Sequence, residues 1–233
     1  AINRETMNTN RQRLINNLQT DARKFITKNN LALNGVIIEP KEIEIYYYKE
    51  GVFEDNSVHK NELQTANPNH FYIHRIGTKR TDTYKGGNYP GIDYVISNEP
   101  GTYHSYLIRS AVLDDQLVIG PNKVLRAILQ HTNMTKEELE ATNIRKITCD
   151  RTCDVLYSNR INLGKTVSED FVLCQLRIVL CDNLYRQSSY PKKEEMIVEH
   201  LRHCVLNQQK SKEEALYYAK EKLGYVPSII RAL

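Results

Sequence analysis

The sequence predicts an α+β fold: one domain with a mainly antiparallel sheet, short helices, an N-terminal helix and a helical C-terminal extension. Three observations lead there. Strand-length runs of β-branched and aromatic residues, bounded by turn signals, fill the middle of the chain. Apolar residues at helical spacing gather at its two ends. The resulting order is helix, strands, short helices, strands, helices, an α+β layout. Residues 1–185 form the expected main domain and 186–233 the helical extension packed on it.

The elements follow in turn. From residue 5 to about 30, Leu14, Ile15, Leu18, Ala22, Phe25 and Ile26 share one helical stripe, and Asn29-Asn30 ends it. Asn34-Gly35 is a turn signal, and residues 35–48 read as a strand with an edge or bulge at Pro40, which lacks a backbone N–H. Residues 49–69 are polar and loop-like. A strand is expected over 71–77, then a long loop over 78–91. Strands over 92–97 and 103–112 flank the turn Asn98-Glu99-Pro100-Gly101. Pro121 suits the first turn of a short helix over 123–129, and Thr135-Lys136-Glu137-Glu138 is a capping-box start for another. Residues 160–164 and 171–181 read as strands. Amphipathic helices over 194–206 and 211–223 close the chain, and Tyr217 and Tyr218 there serve either a partner, a self-contact or packing on the sheet.

Composition sets the bounds. The 233 residues suffice for a sizeable core, and the hydrophobic and charged fractions are ordinary for a globular protein. A net charge of +4 and a pI near 8.7 permit a polyanionic partner without requiring one. No apolar run approaches membrane-spanning length, and the polar first thirty residues carry no secretory h-region, so a cytoplasmic protein without a membrane partner is expected. The five cysteines, an odd and scattered number, argue against a disulfide framework and fit a reducing compartment. Cys149 and Cys153 can be drawn with His200, His203 and Cys204 as a zinc site, but the spacing is not that of a finger or ribbon, and no metal is expected.

The residues that carry chemistry begin with Glu42-Ile43-Glu44-Ile45-Tyr46. Alternation puts Glu42, Glu44 and Tyr46 on one face of a strand, where carboxylates beside an aromatic ring suit water activation or base binding. The same pattern also describes a solvated face. Arg109 interrupts an otherwise apolar strand and needs a carboxylate partner: Glu42, Glu44 or Asp93. Asp93 is itself an acid in strand text. Arg75, Lys79, Arg80 and Lys85 interleave with Tyr84 and Tyr89 among glycines, a combination suited to phosphates and stacked bases, and equally found in an ordinary surface loop.

Five motifs in order carry a resemblance: Glu42-Ile43-Glu44-Ile45-Tyr46, then His59, Leu107-Ile108-Arg109-Ser110-Ala111, Gly120-Pro121-Asn122-Lys123, and Arg160-Ile161-Asn162-Leu163-Gly164. Over residues 35–181 the chain resembles the alkyladenine (3-methyladenine) DNA glycosylase family. The resemblance implies a curved antiparallel sheet, no metal or organic cofactor, and a hydrolase of base excision repair. Such an enzyme flips an alkylated purine or other modified base out of DNA and hydrolyses its N-glycosidic bond. Glu44 then corresponds to the general base and Arg109 to the arginine of its pocket. Tyr46 and His59 correspond to residues that hold the base, with Asp93 and Tyr94 beside them. Lys123 belongs to a turn facing DNA, and Arg75, Lys79, Arg80, Tyr84, Lys85 and Tyr89 form the expected DNA-binding loop. The chain departs from the family where Val95 stands at the position of a base-selecting Asn, and in its longer loops. These departures favour a non-catalytic module that binds nucleic acid, a nucleotide or a protein. A hydrolase acting on a free nucleotide is the remaining alternative. The C-terminal helices offer a surface for a protein partner or self-association.

Overall fold

The computed structural model describes residues 4–233. Helix α1 (Arg4–Lys28) lays Ile15, Leu18, Ala22, Phe25 and Ile26 against a ten-stranded sheet. The first strands are β1 (Asn29–Leu33), β2 (Val36–Lys49), β3 (Phe53–Glu54) and β4 (Phe71–Ile73). Then come β5 (Ile92–Val95), β6 (Tyr103–Leu113) and β7 (Gln116–Ile119), helices α2 (Pro121–Thr132) and α3 (Lys136–Ala141), and β8 (Arg145–Thr148). Strand β9 (Val155–Ser158), helix α4 (Glu169–Val172) and strand β10 (Arg177–Leu180) precede α5 (Lys193–Leu206), α6 (Lys212–Leu223) and α7 (Ser228–Arg231).

The sheet is curled and antiparallel throughout its pairs, in the order β4-β5-β6-β2-β1-β8. Strand β2 organises it. One edge runs beside β6 for almost its whole length, while the other edge is shared by β1, β10 and β3. Near Pro40 the register slips: Glu42 faces Ser110 but Ile43 faces Ile108, so Arg109 is the residue left over. Such an extra residue bends the strand and re-aims its side chain.

The two sheet faces differ. Ile43, Ile45, Tyr106, Ile108 and Tyr94 point toward α1 and α2, where they form the main core with Val124, Leu125 and Ile128. Glu42, Glu44, Tyr46, Leu107 and Asp93 occupy the opposite face, and that face is buried as well. At its far end a second core joins Leu156 and Val179 to Met196, Ile197 and Leu201 of α5, and to α6 and α7. The expected C-terminal helical extension thus packs on the sheet. Tyr218 joins this packing, whereas Tyr217 is exposed.

Several expected boundaries shift. The strand over 71–77 ends at Ile73, because Arg75 turns inward to an ion pair and leaves only an isolated bridge to Tyr84. Residues 160–164 are loop, with Asn162 in the left-handed region (φ 57°), and the strand lies at 155–158 instead. Residues 171–181 split into α4, a turn and β10, because Ser168 and Glu169 start a helical turn that carries Phe171 into the core. Strands β1, β3, β7 and β8 also lie outside the runs read as strand.

Candidate functional site

Two carboxylates on the polar face, Glu42 and Glu44, meet two guanidiniums, and a third lies close by. Glu44 is fully buried; its Oε1 accepts from Arg109 Nη1 at 2.7 Å and its Oε2 from the Tyr46 hydroxyl at 3.3 Å. The bulge brings Arg109 into this position. Its Nε also lies 3.8 Å from Glu42 Oε1, while Arg177 Nε donates to Glu42 Oε2 at 2.7 Å. Arg160 sits over the Tyr46 ring at 4.9 Å, pairs with Asp55 at 2.7 Å and donates to Ser57 Oγ at 2.9 Å. Burial raises the Glu44 pKa above the usual carboxylate range; the Arg109 charge resists that shift and the neighbouring Glu42 adds to it. Burial, then the Glu44 charge, likewise holds the Tyr46 hydroxyl protonated far above its ordinary range.

Tyr46 and Arg109 connect this ionic layer to a cleft. Two adjoining cavities, about 530 and 700 Å³, share the walls Tyr46, His59, His74, Ile76, Lys85 and Asn162. Asp93 and Gln64 line the smaller, and Arg109, Tyr89 and Pro121 the larger. Volumes of this size fall in the general range of small-molecule clefts. Glu44 itself lies behind Tyr46 and Arg109, outside the lining.

Asp93 anchors the cleft floor. Its Oδ1 lies 2.7 Å from His74 Nε2, and its Oδ2 accepts from Gln64 Nε2 at 2.8 Å and Ser105 Oγ at 3.1 Å. Burial works to raise its pKa, but the His74 charge and hydrogen bond, with help from His59 and Ser105, hold it below the usual range. The Gly91 N–H lies 3.3 Å from His74 Nδ1. Only glycine permits this approach, since a Cβ at residue 91 would meet Leu107 at 2.8 Å. His59 stacks on His74 with ring centroids 5.5 Å apart, and its Nε2 is 3.2 Å from Lys85 Nζ. Burial, then the charges of His74 and Lys85, lower its pKa to about 4, so His59 is neutral at physiological pH.

The structure brings together Glu44, Arg109, Tyr46, His59, Asp93, Lys85 and Tyr89 around this cleft. It does not bring Tyr94, which stands on the opposite face, packs on Phe25 and Phe71, and donates its hydroxyl to Asn69. Arg75 and Tyr84 are likewise committed elsewhere. Glu140 of α3 accepts from Arg75 at 2.5 and 2.7 Å and from the Tyr84 hydroxyl at 2.5 Å, and the Arg75 guanidinium lies over the Tyr84 ring at 4.2 Å. Tyr89 is the exposed tyrosine of the loop, 85% accessible. Lys79 and Arg80 are exposed at the loop turn and Lys123 on the first turn of α2.

His74, Gln64, Ser105 and Arg177 were not singled out by the sequence reading, and Arg160 entered it only as part of a motif, with no role given to it. His74 could have been found, since it follows Tyr72 on the face of the strand that Asp93 shares. Gln64 lies in polar text with no strand period, and a capping box with Asn61 fixes it. Among the described residues, no group of three or more His, Cys, Asp or Glu side chains is arranged to hold a metal ion. Compared with known proteins, the chain matches no protein-family model and no curated protein.

Proposed function

We propose that the protein is a DNA N-glycosylase, a divergent relative of the alkyladenine type, that receives an extruded modified base in this cleft and hydrolyses its N-glycosidic bond. One observation carries the reading: a buried carboxylate of raised pKa, Glu44, is gripped by two side chains, Arg109 and Tyr46, that themselves wall the cleft. Glycosidic cleavage builds an oxocarbenium-like sugar, and a carboxylate at this position both opposes that charge and takes a proton from the attacking water. Tyr46 and His59 offer ring faces to the base, worth about 1–3 kcal/mol per stacked base against the cost of extrusion. Exposed Lys79, Arg80 and Lys123 supply phosphate contacts, and Tyr89 is the side chain free to enter a base stack. The free thiols of all five cysteines suit a reducing, cytoplasmic setting.

The test is base release, read by mass spectrometry, from duplexes carrying alkylated, deaminated or hypermodified bases. Glu44→Gln is expected to cut release by on the order of 10²–10⁴-fold while leaving duplex affinity near that of the native protein. Release that survives this change would remove Glu44 from the base role. A second reading, binding without hydrolysis, draws on the seclusion of Glu44 behind Tyr46 and Arg109. Tight duplex binding with no base released from any substrate is the result that selects it.

A further inference from the structure

We propose that Lys85 is an amine nucleophile for the aldehyde of an abasic sugar, giving this protein a strand-cleaving lyase step after base release. For the origin of its substrate the inference rests on the glycosylase reading, whose product is that sugar. Lys85 lines both cavities of the cleft, in company with Tyr46 and, in the larger, Arg109. Among the described residues it makes no ion pair, which is unusual for a half-buried lysine with Asp93 near at hand, because Asp93 is already held by His74, Gln64 and Ser105. Its near contact is instead the neutral His59 ring, with Nε2 3.2 Å from Nζ, within hydrogen-bond reach. Burial also lowers the Lys85 pKa from the ordinary lysine value, against the pull of Asp93, and this raises the fraction of free amine. A desolvated lysine amine beside a neutral imidazole and inside a ligand-sized cleft is an arrangement suited to Schiff-base formation with carbonyl substrates.

The step balances without an oxidant or metal. Base loss leaves a deoxyribose whose ring-opened form carries an aldehyde at C1′. The Lys85 amine forms a bond to C1′, and the carbinolamine takes a proton from solvent and loses water to give an iminium. That cation acidifies the C2′ hydrogen, whose proton passes to His59 Nε2. The electron pair released at C2′ then expels the 3′-phosphate by breaking the C3′–O3′ bond. Hydrolysis of the iminium returns Lys85 and leaves an unsaturated aldehyde on the cut strand.

The experiment uses the full chain and a duplex in which the abasic site has been made beforehand, so that it does not depend on base excision. Sodium borohydride reduces an imine to a stable amine and welds protein to DNA. The native chain and Glu44→Gln should both give the covalent adduct, and peptide mass spectrometry should place it on Lys85. Lys85→Ala should lose it, and so should Lys85→Arg, which keeps the charge for phosphate contact but cannot form the imine. Binding of the abasic duplex by native protein with no adduct would overturn the proposal, as would an adduct that maps elsewhere or persists in both variants. An adduct from the preformed site, with no base released from any modified duplex, would sustain the lyase step and remove the excision reading alone.

Discussion

His104 is wedged edge-on between Tyr47 and Tyr106, and its Nε2 is buried without a hydrogen-bond partner. Burial lowers its pKa to about 4, so the native state keeps it neutral where the unfolded chain, near 6.5, takes a proton. Stability from this source is therefore intact above pH 6.5 and lost as the pH falls toward 4, reaching about 3 kcal/mol for the single ring. His59 and His200, also lowered to about 4, act with the same sign. His104→Phe should flatten the fall in urea-unfolding free energy between pH 6.5 and 4; an unchanged pH slope would deny His104 the role. At this scale the sequence was partly readable. Strand alternation placed Glu44 and Tyr46 on one face, and the lone cation in β6 announced that Arg109 needed an acid. Nothing in it announced Arg177 as a further partner, because ion pairing across 135 residues leaves no local pattern.

The loop between β4 and β5 shows how an element can mislead when read by residue type. Its cations look alike in sequence, yet Arg75 is drawn into the interior by Glu140 on α3, and Tyr84 is tied to the same carboxylate. The expected strand stops at Ile73 because the Ile73 N–H is also taken by Glu140. One side chain from a six-residue helix thus holds the root of the loop and leaves its tip, with Lys79, Arg80 and Tyr89, outside. Glu140→Ala leaves the Arg75 guanidinium buried with no counter-charge, a class of change that costs about 3–5 kcal/mol. Chemical denaturation is expected to register that loss, and a cost below about 1 kcal/mol, the value of an exposed pair, would mean the network is dispensable.

Over the whole molecule the charge is a modest +4, so attraction to a polyanion has to come from where cations stand and not from their number. Lys79, Arg80 and Lys123 are exposed on elements that border the cleft, whereas Arg75, Arg109, Arg160 and Arg177 are spent inside on carboxylates. Replacing Lys79 and Arg80 together by alanine should weaken duplex binding and reduce the slope of log affinity against log salt by about 2. An unaltered slope would place phosphate contact elsewhere. The α+β class, the N-terminal helix and the C-terminal helices could be read from periodicity, which a short, largely exposed strand such as β8 does not display.

The Glu42–Arg177 pair spans 135 residues of chain, and Glu44–Arg109 spans 65. During synthesis the carboxylates of β2 therefore emerge long before the cations that let them be buried. A growing chain that collapsed early would trap bare negative charge in its interior, which is too costly to persist. The polar face must stay hydrated until β10 arrives to pair with β2, so closure of the ionic layer belongs to a late stage of folding. Contacts of such separation make folding slow. The arrangement that dries this layer also makes the ribosome carry the chain past residue 180 before the layer can form.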